Sequence, residues 1–289
     1  MMNRLPAWGL SISPDLYNLP TNPYPDTITP EWAWKGSTGQ GVKVAVIDSG
    51  IESAHPAVGG RVQGYLAIAE SGGLSYDDAP HPDSCGHGTA CAGIIRSLAP
   101  DCELYSVKVL GPFLVGQGPI FLAGLRWAIE NGVRICNLSL GTTKRDYYAQ
   151  LHELADLAYF RNVILVAAAN NAPTPSFPSL YASTVSVASH DQTEPYDPLL
   201  YYYNPRPPVE FLAPGVEIRV AWQGGSWITA TGNSFAAPHI TGVLARILAK
   251  HPDLTPFQAK TVLHALAANV TPHHRVQGED HLGVRTAET

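Results

Sequence analysis

The strongest constraint on the fold is a series of apolar, β-rich runs that lack polar alternation and are separated by helical patterns. Read in order, they predict strands at Val42–Ile47, Glu103–Val109, Arg134–Leu138 and Val163–Ala168, with helices at Gly88–Arg96, Pro119–Asn131 and Tyr147–Phe160 between them. Strands of this kind are buried on both faces, and intervening helices supply the crossovers that parallel strands need. The pattern therefore predicts an α/β protein: three αβα layers around a mostly parallel central sheet. Short strands are expected at Thr184–Ala188, Phe211–Leu212 and Glu217–Ala221, and helices at Ser234–Lys250 and Thr255–Ala268. Residues 1–40 carry six prolines and read as an N-terminal extension ending in a short helix near Glu31–Lys35. Residues 41–270 read as one domain and 271–289 as a C-terminal tail.

Charge and hydropathy narrow the partners. The 289 residues carry a net charge of -6 without a Lys/Arg cluster, so there is no footprint for nucleic acid or an anionic membrane surface. The longest apolar stretch, Val163–Ala169, is far too short to span a bilayer, and Met1–Pro14 lacks a signal-peptide layout. A cytoplasmic protein is expected. Its four cysteines are expected to stay reduced, and without a CxxC pair structural zinc is not expected.

Three polar residues stand at element ends. Asp48 closes the first strand, at the carboxyl edge of the sheet where open α/β folds place their sites. His87 opens a helix in Gly-His-Gly-Thr-Ala, and Ser234 opens another in Gly-Asn-Ser-Phe-Ala-Ala-Pro-His, with Pro238 placed in or near its first turn. Any one of them alone is commonly a turn former or a helix cap. Together, a carboxylate, an imidazole and a hydroxyl on three rigid elements are what nucleophilic acyl transfer needs.

The flanks are more specific still. Val-Ala-Val-Ile-Asp48-Ser-Gly-Ile, His87-Gly-Thr-Ala-Cys-Ala-Gly and Gly-Asn-Ser234-Phe-Ala-Ala-Pro-His resemble the three signature blocks of the subtilisin-like serine proteases, the subtilases, in the same order. The resemblance implies a subtilisin-like fold and a serine endopeptidase with Asp48, His87 and Ser234 as its catalytic residues. It further implies Asn171 as the side-chain donor of the oxyanion hole, with Asn170 replacing the usual Gly, a position where asparagine tolerates a left-handed backbone. An extended peptide is the implied partner, held as an added strand between Ser139-Leu140-Gly141 and Leu114-Val115-Gly116. Ala168 would help wall the first specificity pocket, where no acidic residue stands to meet Lys or Arg, so a small or apolar side chain is favoured. Cys91 resembles the free cysteine beneath the histidine in proteinase K-like subtilases. No cofactor is implied.

Some features depart from the family. His55-Pro56 is followed by Ala57 rather than an acidic residue, and Ile94–Pro100 runs straight on without the loop that often completes a calcium site. No metal site is expected there, and Asp77, Asp78 and Asp83 read as a solvated acidic loop rather than a cation site. His264, His273, His274 and His281 read as solvent-exposed. Only forty residues precede Gly41, which suits an intracellular subtilase or a processed form, and Leu5–Pro20 is a candidate active-site plug. The expected activity is hydrolysis of peptide bonds, with leader removal as one candidate task. A non-catalytic peptide-binding pseudoprotease and a peptide macrocyclase are the alternatives, and the oligomeric state stays open.

Overall fold

The computed structural model describes residues 23–191 and 196–270. Its strands are β1 (Lys43–Asp48), β2 (Val62–Glu70), β3 (Leu74–Asp77), β4 (Glu103–Lys108), β5 (Ile135–Leu138), β6 (Ile164–Ala168), β7 (Val185–His190), β8 (Tyr202–Tyr203), β9 (Phe211–Pro214), β10 (Ile218–Trp222) and β11 (Ser226–Ala230). The helices are α1 (Pro30–Ala33), α2 (His87–Leu98), α3 (Gly118–Glu130), α4 (Tyr148–Phe160), α5 (Asn233–Lys250) and α6 (Pro256–Leu266).

Nine strands form one sheet in the order β3-β2-β4-β1-β5-β6-β7-β9-β8, and β10 and β11 make a separate hairpin. The interior pairs are parallel, and antiparallel pairing occurs only at the two edges, β2 with β3 and β8 with β9. Because strand side chains alternate, each central strand feeds two cores. Val44 and Val46 of β1 pack on the side of α2, α5 and α6, while Ala45 and Ile47 pack on the side of α3 and α4. Ile164 and Val166 of β6 divide from Leu165 and Ala167 in the same way. Each buried Val, Leu or Ile side chain among these contributes about 1.5–3 kcal/mol of transfer free energy. This is the three-layer α/β arrangement that the unbroken apolar runs predict.

The topology also places the site. β4 and β5 lie on either side of β1, all three parallel, so the loops leaving their carboxyl ends flank Asp48. Those loops contain Leu114–Gly116 after β4 and Ser139–Gly141 after β5. Part of the proline-rich lead-in packs into the body: Ala33 and Trp34 are buried, and Ser37 exchanges hydrogen bonds with Arg246 on α5. Leu5–Pro20 and the tail histidines His273, His274 and His281 lie outside the described residues.

Candidate active site

Asp48 ends β1 with its side chain fully buried, and both of its oxygens face Nδ1 of His87, at 2.8 and 2.9 Å. One oxygen also accepts the Ser49 N–H at 2.7 Å, which fixes the carboxylate plane. His87 is the first residue of α2, and the glycines beside it allow its placement. Gly86 has φ +100°, and a Cβ there would stand 2.8 Å from the Trp222 ring; a Cβ on Gly88 would stand 2.1 Å from the Gly50 carbonyl oxygen. The helix start is therefore pressed onto the loop after β1 and the β10–β11 hairpin at distances no larger residue permits.

Burial opposes a charged imidazole at His87, but the Asp48 charge, the Asp48 hydrogen bond and then the Asp83 charge outweigh it. The net result holds His87 above its ordinary value. With Nδ1 committed to the carboxylate, Nε2 is the nitrogen left for proton transfer.

Ser234 sits in the first turn of α5, half-buried, and its hydroxyl donates to the Ser139 carbonyl oxygen at 3.3 Å. The next residue, Phe235, packs its ring 5.5 Å from the His87 ring, which brings α5 against the imidazole. Pro238 is inside α5 rather than in its first turn, a correction to the sequence reading with a structural consequence. A proline at this position has no N–H for the carbonyl four residues earlier, which is that of Ser234. The orphaned oxygen accepts instead from the Ser139 hydroxyl at 2.7 Å and the Cys91 thiol at 3.6 Å.

Asn171 lies beside this turn. Its side-chain oxygen accepts the Asn233 N–H at 2.9 Å, and its amide NH2 lies beside the buried Gly232 with no hydrogen-bond partner among the described residues. Asn170 is no left-handed substitute for glycine: among the described residues only Leu114, Asn162 and Glu217 combine a side chain with positive φ. Asn170 instead closes a turn by accepting the Ala172 N–H and donating to the Thr174 carbonyl, both at 3.1 Å. Sequence reasoning passed over Asn233. Its amide accepts from Ser189 N and Oγ, at 2.8 and 2.9 Å, and donates to the Ala169 and Asn170 carbonyls, both at 3.1 Å. It thereby ties the start of α5 to the ends of β6 and β7; its place directly before Ser234 was the signal available.

Of the residues expected to contact a peptide, Leu114, Val115 and Gly116 are exposed, Leu140 and Gly141 partly or fully so, and Ser139 and Ala168 are buried at the floor. Beyond Gly141, an antiparallel bridge pairs Thr142 with Phe177.

Asp48, His87 and Cys91 lie within 4.8 Å of one another, the only such group of possible metal ligands among the described residues. Because both Asp48 oxygens face Nδ1, the arrangement is a hydrogen-bonded pair rather than a cation cage. Asp77 and Asp78 are exposed, but Asp83 is not part of a solvated acidic loop: it is 2% exposed and accepts hydrogen bonds on both oxygens. His264 is exposed, edge-on to Tyr203.

Comparison with known proteins places the chain in a class. A family model described as the subtilase family matches residues 39–281, and the chain belongs to that family. Subtilisin E of Bacillus subtilis (strain 168) is 34% identical over 248 residues, 81% of this chain and 62% of that protein. Subtilisin Savinase of Lederbergia lenta is 34% identical over 249 residues, 82% of this chain and 87% of that protein. A cold adapted subtilisin-like serine proteinase of known crystal structure matches with a TM-score of 0.66 at 26% identity, over 86% of each chain. The chain thus spans 62% of the length of Subtilisin E.

Proposed function

We propose that this protein is a serine endopeptidase that cleaves extended peptides through an acyl-enzyme on Ser234. The observation that carries the reading is the buried Asp48–His87 pair, bound through Nδ1 so that Nε2 is left to act as a base, with Phe235 bringing the Ser234 helix against the imidazole. Asp48 holds the tautomer and stabilises the imidazolium. His87 takes the Ser234 proton as the hydroxyl attacks the peptide carbonyl, then delivers it to the leaving amine; in the second half it takes a proton from the water that attacks the acyl carbon and returns it to Ser234 Oγ as the ester bond breaks and the acid leaves. The Ser234 hydroxyl leaves its Ser139 contact as it turns to Nε2. Negative charge on the carbonyl oxygen meets the Asn171 amide and the Ser234 N–H, which α5 does not use internally because it belongs to the first turn.

The peptide binds as a strand between Ser139–Gly141 and Leu114–Gly116, and the absence of acidic residues along 167–181 suits a small or apolar side chain at the cut. Leader removal from a precursor peptide is a substrate class compatible with such a cleft.

Labelling with a fluorophosphonate, followed by mapping of the modified peptide, tests the reading. Modification at Ser234 with hydrolysis of an unfolded protein substrate is expected, and both are expected to vanish in Ser234→Ala. An unlabelled protein that still retains peptide would make it a pseudoprotease, and cyclised products a macrocyclase.

A further inference from the structure

A second buried carboxylate stands behind the Asp48–His87 pair. Asp83 lies in the segment leading into α2 and is 2% exposed. One of its oxygens accepts the Ser49 hydroxyl at 2.7 Å and the Cys85 N–H at 3.0 Å; the other accepts the Thr89 N–H at 2.8 Å and the Thr89 hydroxyl at 2.6 Å. Ser49, the residue after Asp48, also accepts the Gly88 N–H at 3.1 Å. The residue after the aspartate is thus joined to Gly88 directly through its own hydroxyl and to Thr89 through the Asp83 carboxylate.

We propose that Asp83 is a positioning residue of the reaction, clamping the end of β1 to the first turn of α2 and so fixing the approach of His87 to Ser234. The inference rests on the serine-hydrolase reading and names a residue that the triad does not include. A buried carboxylate is retained only where its lone pairs are satisfied. Here the four donors come from the residue that follows β1, from the segment leading into α2 and from the first turn of α2. Helix N-termini favour negative charge, so the carboxylate also suits the start of α2. Thr89 completes the clamp on its outer side by accepting the Glu52 N–H at 2.9 Å.

The charge acts on the imidazole as well. His87 is faced by the Asp48 charge from β1, the Asp83 charge from the preceding segment, the Cys91 thiol from its own helix and the uncharged Phe235 ring from α5. Asp83 is itself near His81 and Lys108, and Lys108 donates to the Pro82 carbonyl. Both carboxylates favour the protonated imidazole, so removing one makes His87 a weaker base that is free of its proton at lower pH.

The rate of Ser234 labelling by a fluorophosphonate, followed against pH, reads both effects without knowledge of the natural substrate. In Asp83→Asn, which keeps the side-chain shape but replaces one acceptor oxygen with an NH2 donor, the rate is expected to fall about 10- to 100-fold, the scale of a small misplacement. Its acid limb is expected to move to lower pH. Ser49→Ala cuts the β1 side of the clamp but keeps the Asp83 charge, so it should slow labelling while leaving the acid limb where the parent has it. A parent-like rate in Ser49→Ala, or an unmoved acid limb in a folded Asp83→Asn protein, overturns the proposal. If Asp83→Asn does not fold, the Ser49→Ala rate decides alone. A parent protein that is never labelled at Ser234 overturns the serine-hydrolase reading and this inference with it. A labelled parent with indifferent variants overturns this inference only.

Discussion

The Ser139 hydroxyl donates to the carbonyl oxygen of Ser234 at 2.7 Å, supplying the hydrogen bond that Pro238 withholds from inside the helix. Ser139 thus links the end of the proposed peptide-binding segment to the backbone of the proposed nucleophile. Ser139→Ala leaves a half-buried carbonyl short of its main donor and the buried Asn137 amide short of the acceptor it reaches at 3.0 Å, which should lower stability by about 1–3 kcal/mol. Pro238→Ala restores a helical N–H to the same oxygen. Chemical denaturation of the two single variants and the double variant should therefore show coupling, with Pro238→Ala offsetting the part of the Ser139→Ala loss that comes from the Ser234 carbonyl. Simple additivity of the two effects would dissociate the proline from the Ser139 bond.

Asn171 divides its amide between structure and chemistry, since its oxygen is taken by Asn233 N–H and its NH2 is left over. Asn171→Ala should reduce kcat by about 10²- to 10³-fold with little change in KM, a size borrowed from the corresponding donor in subtilisin. Asn171→Asp keeps the acceptor for Asn233 but presents a charge that repels the developing oxyanion, so it should be at least as slow as the alanine variant while being the more stable of the two. Steady-state kinetics with parallel melting curves separate the two roles.

His87 is held above its ordinary value, and catalysis needs it neutral. Activity should therefore rise with pH through a limb centred above about 6.5, where an unperturbed imidazole titrates. A kcat/KM profile whose acid limb lies below that point would show that burial, which acts in the opposite direction, has prevailed over Asp48 and Asp83.

The central strands and the helices around them were legible because burial on both faces favours apolar residues, and β1 and β6 are such runs. β2 was not, since its burial alternates and is interrupted by Gln63 and Gly64, and β3 was not, since all four of its residues are exposed. An edge strand of this kind is specified by its neighbour more than by its own sequence. The same limit governs the site. Asp48, His87 and Ser234 could be read from motif and position, but the burial of Asp83 depends on donors from Ser49 and Thr89 that only the fold assembles. Pro238 was visible, yet its distance from the helix start was misjudged, and with it the reason Ser139 contacts Ser234.

The cysteines should differ sharply in reactivity. Burial pushes the Cys91 and Cys136 thiols well up and Cys102 to about 11, and all three are enclosed, whereas Cys85 is half-buried. Only a thiolate attacks an alkylating agent. Native protein near neutral pH should take up a maleimide at Cys85 alone, and unfolded protein at all four, as read by peptide mass spectrometry. Labelling of Cys91 in the native state would place it outside the packing beneath His87.

His239 links acid sensitivity to the nucleophile helix. It is buried on α5, with Nδ1 donating to the Phe235 carbonyl at 2.8 Å and Nε2 accepting the Tyr196 hydroxyl at 2.7 Å, so both nitrogens are used by the neutral ring. Burial lowers its value to about 4. The unfolded chain, with an ordinary imidazole, binds this proton near pH 6.5, whereas the folded chain refuses it until about pH 4. Stability from this group is therefore present above the unfolded value and lost progressively across that window, by on the order of 3 kcal/mol. His87 does not tilt the same window: its raised value means its share is already complete below the unfolded one. The melting temperature of the parent should fall as pH drops from 6.5 toward 4. In His239→Gln, whose amide can donate to Phe235 and accept from Tyr196 without titrating, the fall should be much shallower. Equal slopes in the two proteins would show that the buried ring takes up its proton without cost to the fold.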